Sequence, residues 1–120
     1  DALPIFKSVS AFAPICAPSQ CAWGEKAFSH YLGEAREEWL AHDAVALIQS
    51  KGALFSEVLI DQGLADQFYH QLHPQLLQQA CAEVGQKLTL RQHESYDHGY
   101  YFIQSFIDDH LQFHAAKLTD

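Results

Sequence analysis

Basic side chains are scarce in this sequence. Seven Lys and Arg stand against fifteen Asp and Glu, for a formal net charge of −8 over 120 residues. The seven form no stripe or cluster, which argues against a nucleic-acid surface. No apolar run reaches the length needed to cross a bilayer, so no membrane segment is expected. The first residues lack the charged and apolar regions of a signal peptide. Cysteine is limited to Cys16, Cys21 and Cys81. An odd count without a dense framework points to reduced thiols and a cytoplasmic setting. Cys16 and Cys21 are also spaced too widely for a zinc knuckle. Internal repeats and low-complexity segments are missing as well.

What is present fits a folded domain. Apolar residues make up 48% of the chain and aromatics 12%, enough for a modest core at this length. Phe6–Ile15 reads as a buried strand ending near Pro14. Cys16–Gly24 reads as a loop containing Trp23, with Pro18, Ser19 and Gly24 as breakers. Glu25–Gly33 reads as a short helix, and Glu34–Trp39 is charged and helix-prone. Asp43 can cap a helix through Ser50. Glu57–Asp61 is a second strand, with Gln62 and Gly63 beyond its end. Leu64–Val84 has helical periodicity, which Pro74 should break or kink. Lys87–Glu94 alternates as a third strand. From His98 onward, Ile103, Phe106, Ile107, Leu111 and Leu118 mark one face of a final helix.

Strands alternating with helices predict an α/β fold with a mostly parallel sheet. A first strand buried on both faces needs covering layers, and the few residues before it supply none. The expectation is therefore a portion of a larger domain. In parallel sheets, chemistry gathers at the carboxyl ends of strands. Asp61, Gln62 and Asp66 follow one such end, and Asp97 and His98 the next. An acid after one strand and a histidine after the following one match the last two members of a Ser–Asp–His order. The histidine would act as general base and the acid would hold its tautomer. Asp97 is the sequence neighbour of His98, and neighbours on extended backbone point apart. Asp61 falls within its strand. Geometry favours Asp66 without eliminating the others.

The serine of such a site should stand in G-x-S-x-G. None of Ser8, Ser10, Ser19, Ser29, Ser50, Ser56, Ser95 or Ser105 has glycine two before and two after. No glycine-rich oxyanion segment is present either. The 120 residues thus hold about half of a hydrolase site and no nucleophile. A rival reading takes His110 and His114, at i, i+4, or His93 and His98, as metal ligands. The helical pair lacks the glutamate of an HExxH helix, and no metal or other cofactor is expected. A further rival is a non-catalytic fragment that binds only its missing half.

Several long strings carry a resemblance. SVSAFAPIC, CAWGEKAFSHYLG, VLIDQG with ADQF, and YDHGYYFIQSFIDDHLQFHAAKL are similar to segments of the S-formylglutathione hydrolase (esterase D) family, in its C-terminal part. The match runs nearly end to end. It implies the C-terminal portion of an α/β-hydrolase fold, with residues 1–120 forming part of one domain without the nucleophile elbow. It implies hydrolysis of S-formylglutathione to glutathione and formate, in formaldehyde detoxification, or general carboxylesterase activity on small esters. It assigns the triad acid to Asp66 and the base to His98, and places the serine in an N-terminal half. By that reading the partners are a small thioester or ester substrate, the missing half and a second copy in a homodimer. This chain alone is expected to be inactive. Trp23, Lys26 and Tyr101 are candidate substrate-binding residues. Where the family has glycine before the Tyr-Asp-His string and serine after it, this chain has Ser95 and Gly99. Ala17 and Ala22 also replace the usual asparagine and proline.

Overall fold

The computed structural model describes residues 8–53 and 55–118. Three short strands form one parallel sheet: β1 (Val9–Phe12), β2 (Val58–Gly63) and β3 (Leu88–His93), in the order β1-β2-β3. Register pairs Phe12 with Asp61, Asp61 with Arg91, and Gly63 with His93. The helices are α1 (Ala22–Leu32), α2 (Arg36–Trp39), α3 (Ala44–Lys51), α4 (Tyr69–Leu72), α5 (Pro74–Val84) and α6 (Tyr100–Leu118). The α/β alternation read from the sequence is the architecture observed. No helix among the described residues is long and apolar enough to cross a membrane.

Successive residues of a strand point to opposite faces, and this sorts the core into two layers. Val9, Ala11, Val58, Ile60, Leu88 and Leu90 face Val45 of α3 and Leu77, Ala80 and Cys81 of α5. Beside the end of β1, Ala13 packs with Leu72 and Phe102, against which Phe12, Phe68, Tyr96 and Phe106 lie. The second face carries a buried charge. Asp61 has no solvent exposure. Its carboxylate accepts from Arg91 Nε and Nη2, both at 2.7 Å, from His93 Nε2 at 2.7 Å and from His110 Nε2 at 2.6 Å. The chain of bonds runs on through Ser10. Its hydroxyl lies 2.7 Å from His110 Nδ1 and 2.8 Å from His114 Nε2, and Ser8 Oγ lies 2.6 Å from His114 Nδ1. One consistent assignment has Ser8 donating to His114, His114 to Ser10, Ser10 to His110 and His110 to Asp61. The two histidines read as a rival metal pair are spent on this network, and the described residues hold no group of three or more metal-ligating side chains.

Several element boundaries differ from the sequence reading. β1 is shorter than Phe6–Ile15, of which Phe6 and Lys7 lie outside the described residues. It stops where Ala13 turns to φ +46° before Pro14. It is half-buried rather than buried, because among the described residues it pairs only with β2. α1 begins at Ala22, so Trp23 is helical and not in a loop. Cys21 caps that helix, its Sγ accepting from the Gly24 N–H at 3.3 Å. Gly24 breaks nothing: a side chain there would meet Pro18 O at 2.1 Å, so glycine lets the helix pack onto the preceding turn. β2 runs on through Gln62 and Gly63 because β3 pairs with both. The stretch read as helical from Leu64 is a turn as far as Phe68, becomes helical only at Tyr69, and is interrupted again, as Pro74 leads one to expect. His73 turns left-handed at φ +53°, and Pro74 starts α5, where its missing N–H is harmless. The last helix begins at Tyr100, two residues after His98. Asp43 does cap α3, accepting from the Ala46 N–H at 2.9 Å.

Candidate active site

Neighbouring parallel strands deliver their following loops to one edge of the sheet. Here the loops after β2 and β3 are laced together: Leu64 N–H donates to His93 O at 2.9 Å, and Ala65 N–H to Tyr96 O at 2.9 Å. The close approach needs Gly63, since a side chain there would lie 2.3 Å from Tyr96 O. Asp66 and His98 sit three and five residues beyond their strands. The lacing brings His98 Nδ1 to 2.7 Å from Asp66 Oδ2.

The Asp66 side chain has no solvent exposure, whereas that of His98 is 37% exposed. The carboxylate also accepts from Phe68 N–H at 2.7 Å, through Oδ1, and from Gln62 Nε2 at 3.1 Å, through Oδ2. A carboxylate only accepts, so the proton between the two side chains rides on Nδ1. In the neutral ring Nε2 is then the bare nitrogen. The Phe68 ring meets the His98 ring edge-to-face at a centroid distance of 5.4 Å, and Trp23 packs on Phe68 at 4.9 Å. Ala22, Trp23, Lys26, Phe68 and Gln71 line an open hollow beside them. Gln71 Oε1 fixes its wall by accepting from Trp23 N–H at 2.8 Å.

The structure therefore brings Asp66 and His98 together and sets Trp23 and Lys26 on the adjoining hollow. Tyr101 is not part of that hollow. It is 72% exposed and stacks on Tyr96. Asp97 turns beside Gly99, and Asp61 serves the buried cluster. The sequence gives no site role to Phe68 or Gln71, and marks Gln62 only as lying at the carboxyl end of a strand. The strand in fact runs on through Gln62, which turns its amide to Asp66. Ser95 stands at φ +68°, a left-handed conformation, at the position where the resemblance has glycine, whereas Gly99 has no such requirement.

Comparison with known proteins gives the family of the chain. The chain is 52% identical over 114 residues to an S-formylglutathione hydrolase of Arabidopsis thaliana, a match covering 94% of this chain and 40% of that protein. It superposes on a solved S-formylglutathione hydrolase of Agrobacterium tumefaciens with a TM-score of 0.90 and 50% identity, covering 98% of this chain and 43% of the other. The chain thus spans about two fifths of the length of either relative. The sequence model of the Esterase family matches residues 3–113. With a match over nearly its whole length, this chain belongs to the esterase family.

Proposed function

We propose that this chain supplies the acid and base of a serine-type thioesterase that hydrolyses S-formylglutathione to glutathione and formate. The observation that carries the reading is the buried Asp66 carboxylate 2.7 Å from Nδ1 of a half-exposed His98. That pairing leaves Nε2 free to take the proton of a serine hydroxyl. The serine attacks the formyl carbon, and Asp66 stabilises the imidazolium that forms. His98 then returns the proton to the departing thiolate of glutathione. In the second half of the cycle water replaces the serine, and formate leaves. The nucleophile and the oxyanion donors come from residues outside this sequence, in the N-terminal part of the same domain. The edge of β1 away from β2, unpaired among the described residues, is the natural place for that part to continue the sheet. Trp23 and Lys26 face the bound substrate from the hollow beside Phe68. No cofactor enters the scheme. The setting is cytoplasmic formaldehyde detoxification, and the complete enzyme is a homodimer.

The names of both relatives support the thioester substrate, and the match to the esterase family model supports a second reading, general carboxylesterase activity on small esters. Hydrolysis of S-formylglutathione and of p-nitrophenyl acetate tests both. The 120-residue chain alone is expected to hydrolyse neither. A longer protein carrying it is expected to be active, and His98→Ala in that protein should lower kcat by about 10⁶, the scale of losing a triad base. Full activity in His98→Ala would sink the assignment. Hydrolysis by the chain alone would place a nucleophile within these residues.

A further inference from the structure

Gln62 lies in β2 with no solvent exposure. Its Nε2 donates twice, to Gly63 O at 3.0 Å and to Asp66 Oδ2 at 3.1 Å. Its Oε1 has no hydrogen-bond partner among the described residues. A buried acceptor without a donor is costly, and natural cores hold few of them. A methionine of similar length would fill the same space with no orphaned oxygen. Turning the amide over gives no relief, because Oε1 would then face two acceptors. The amide is therefore fixed with its donors on Gly63 and Asp66, at the expense of one unpaired oxygen.

The oxygen it holds is the one that receives His98 Nδ1. Phe68 N–H pins Oδ1, and Gln62 pins Oδ2, so the carboxylate is blocked from rotating at both ends. We infer that Gln62 is a positioning residue: by locking the Asp66 carboxylate it keeps the neutral His98 ring in the tautomer with a bare Nε2. The inference rests on the reading of Asp66 and His98 as acid and base. With Gln62 removed, one backbone bond is left to orient the carboxylate, and the ring gains access to the opposite tautomer.

Nitrogen-15 NMR of the His98 ring, at a pH high enough to keep it neutral, reads the tautomer ratio directly in this chain without any catalytic assay. The unsubstituted chain should show the Nδ1–H form dominating. Gln62→Met should lower the ratio of Nδ1–H to Nε2–H about tenfold, the scale of one hydrogen bond to a charged group. Gln62→Asn, whose amide is one methylene too short to reach Oδ2, should do the same and serves if the methionine variant fails to fold. Asp66→Asn should reverse the preference, since an amide can donate to Nδ1. A merely structural glutamine would leave the ratio unmoved. An unmoved ratio in both Gln62 variants, with reversal in Asp66→Asn, overturns the role of Gln62 and leaves the acid–base reading standing. Failure of Asp66→Asn to move the ratio overturns both.

Discussion

His110 Nε2 lies 2.6 Å from Asp61 Oδ2, so a carboxylate with no solvent exposure ties the last helix to the central strand. Arg91 and His93 of β3 bind the same carboxylate, and Arg91 reaches on to Asp109 of α6 at 2.9 Å. Strand and helix thus share one ionic anchor. Removing the carboxylate takes the acceptor from the buried His110 ring and leaves Arg91 only its outer partner, Asp109. Asp61→Asn should lower unfolding stability by about 3–5 kcal/mol, measured by urea denaturation at neutral pH.

The same anchor sets a pH dependence. Burial pushes the Asp61 carboxyl up, but hydrogen bonds from Arg91, His93 and His110 and the charge of Arg91 outweigh it and leave the group below its ordinary value. Glu57 is lowered too, chiefly by its hydrogen bond from Thr89, with Lys117 adding to it against a smaller effect of burial. Groups depressed in the folded state contribute stability above their unfolded values, near about 4, and lose it as pH falls through the folded ones. The melting temperature should therefore drop as the pH falls below about 4. Asp61→Asn should flatten that part of the profile, and an equally steep fall in the variant would show that other groups set it.

This cluster was also the part of the fold least legible in the sequence. The order of strands and helices along the chain is a local signal, and so the parallel sheet could be read from it. The meeting of Asp66 and His98 followed from loops after neighbouring strands. Nothing local links Ser10 to His110, a hundred residues apart. That contact depends on how α6 lies across the sheet. The start of α1 is hidden in the sequence for a different reason. A cysteine thiol is an unusual cap, and Gly24 reads as a breaker until its backbone contact with Pro18 is seen. Gln62 was hidden because the partner that explains its amide belongs to a loop, not to its own strand.

Ser95 holds φ +68° in the loop that leads to His98. A side chain in that region costs about 1–2 kcal/mol relative to glycine, of which the greater freedom of glycine in the unfolded chain takes back about 0.5–1 kcal/mol. Ser95→Gly should therefore stabilise the chain by about 0.5–1 kcal/mol. A thermal melt checks this, and a lower melting temperature would mean that the serine hydroxyl contributes more than its backbone strain removes.

Cys16 is buried in the core between α3 and α5. Burial first, then the nearby Cys81 and Asp43, push its thiol up to about 12. Burial likewise raises Cys81. The thiolate is the reactive form, so at pH 8 Cys16 in the folded chain should react with iodoacetamide roughly a thousandfold more slowly than an exposed cysteine. Mass spectrometry of labelled peptides, with and without denaturant, reads this. Rapid labelling of Cys16 in the folded chain would mean that this layer of the core opens readily.

Gly63 joins the stability of the sheet to the geometry of the site. Its Cα faces Tyr96 O across the lacing of the two loops, and any side chain must push the Tyr96 backbone away, because a carbonyl in a hydrogen bond to Ala65 cannot rotate aside. Gly63→Ala should cost about 1–3 kcal/mol, the scale of overpacking a tight contact. Its second effect distinguishes it from an ordinary core defect. Tyr96 is two residues before His98, so the displacement carries the ring away from Asp66, and a 2.7 Å contact does not survive a shift of that size. The variant should show a lower melting temperature together with loss of the Nδ1–H preference of His98 by nitrogen-15 NMR. Overpacking on the opposite face, such as Ala80→Val in α5, should lower the melting temperature and leave the tautomer untouched. If Gly63→Ala behaves like the α5 variant, the loop after β3 is not aimed by its contact with β2, and His98 owes its orientation to Asp66 alone.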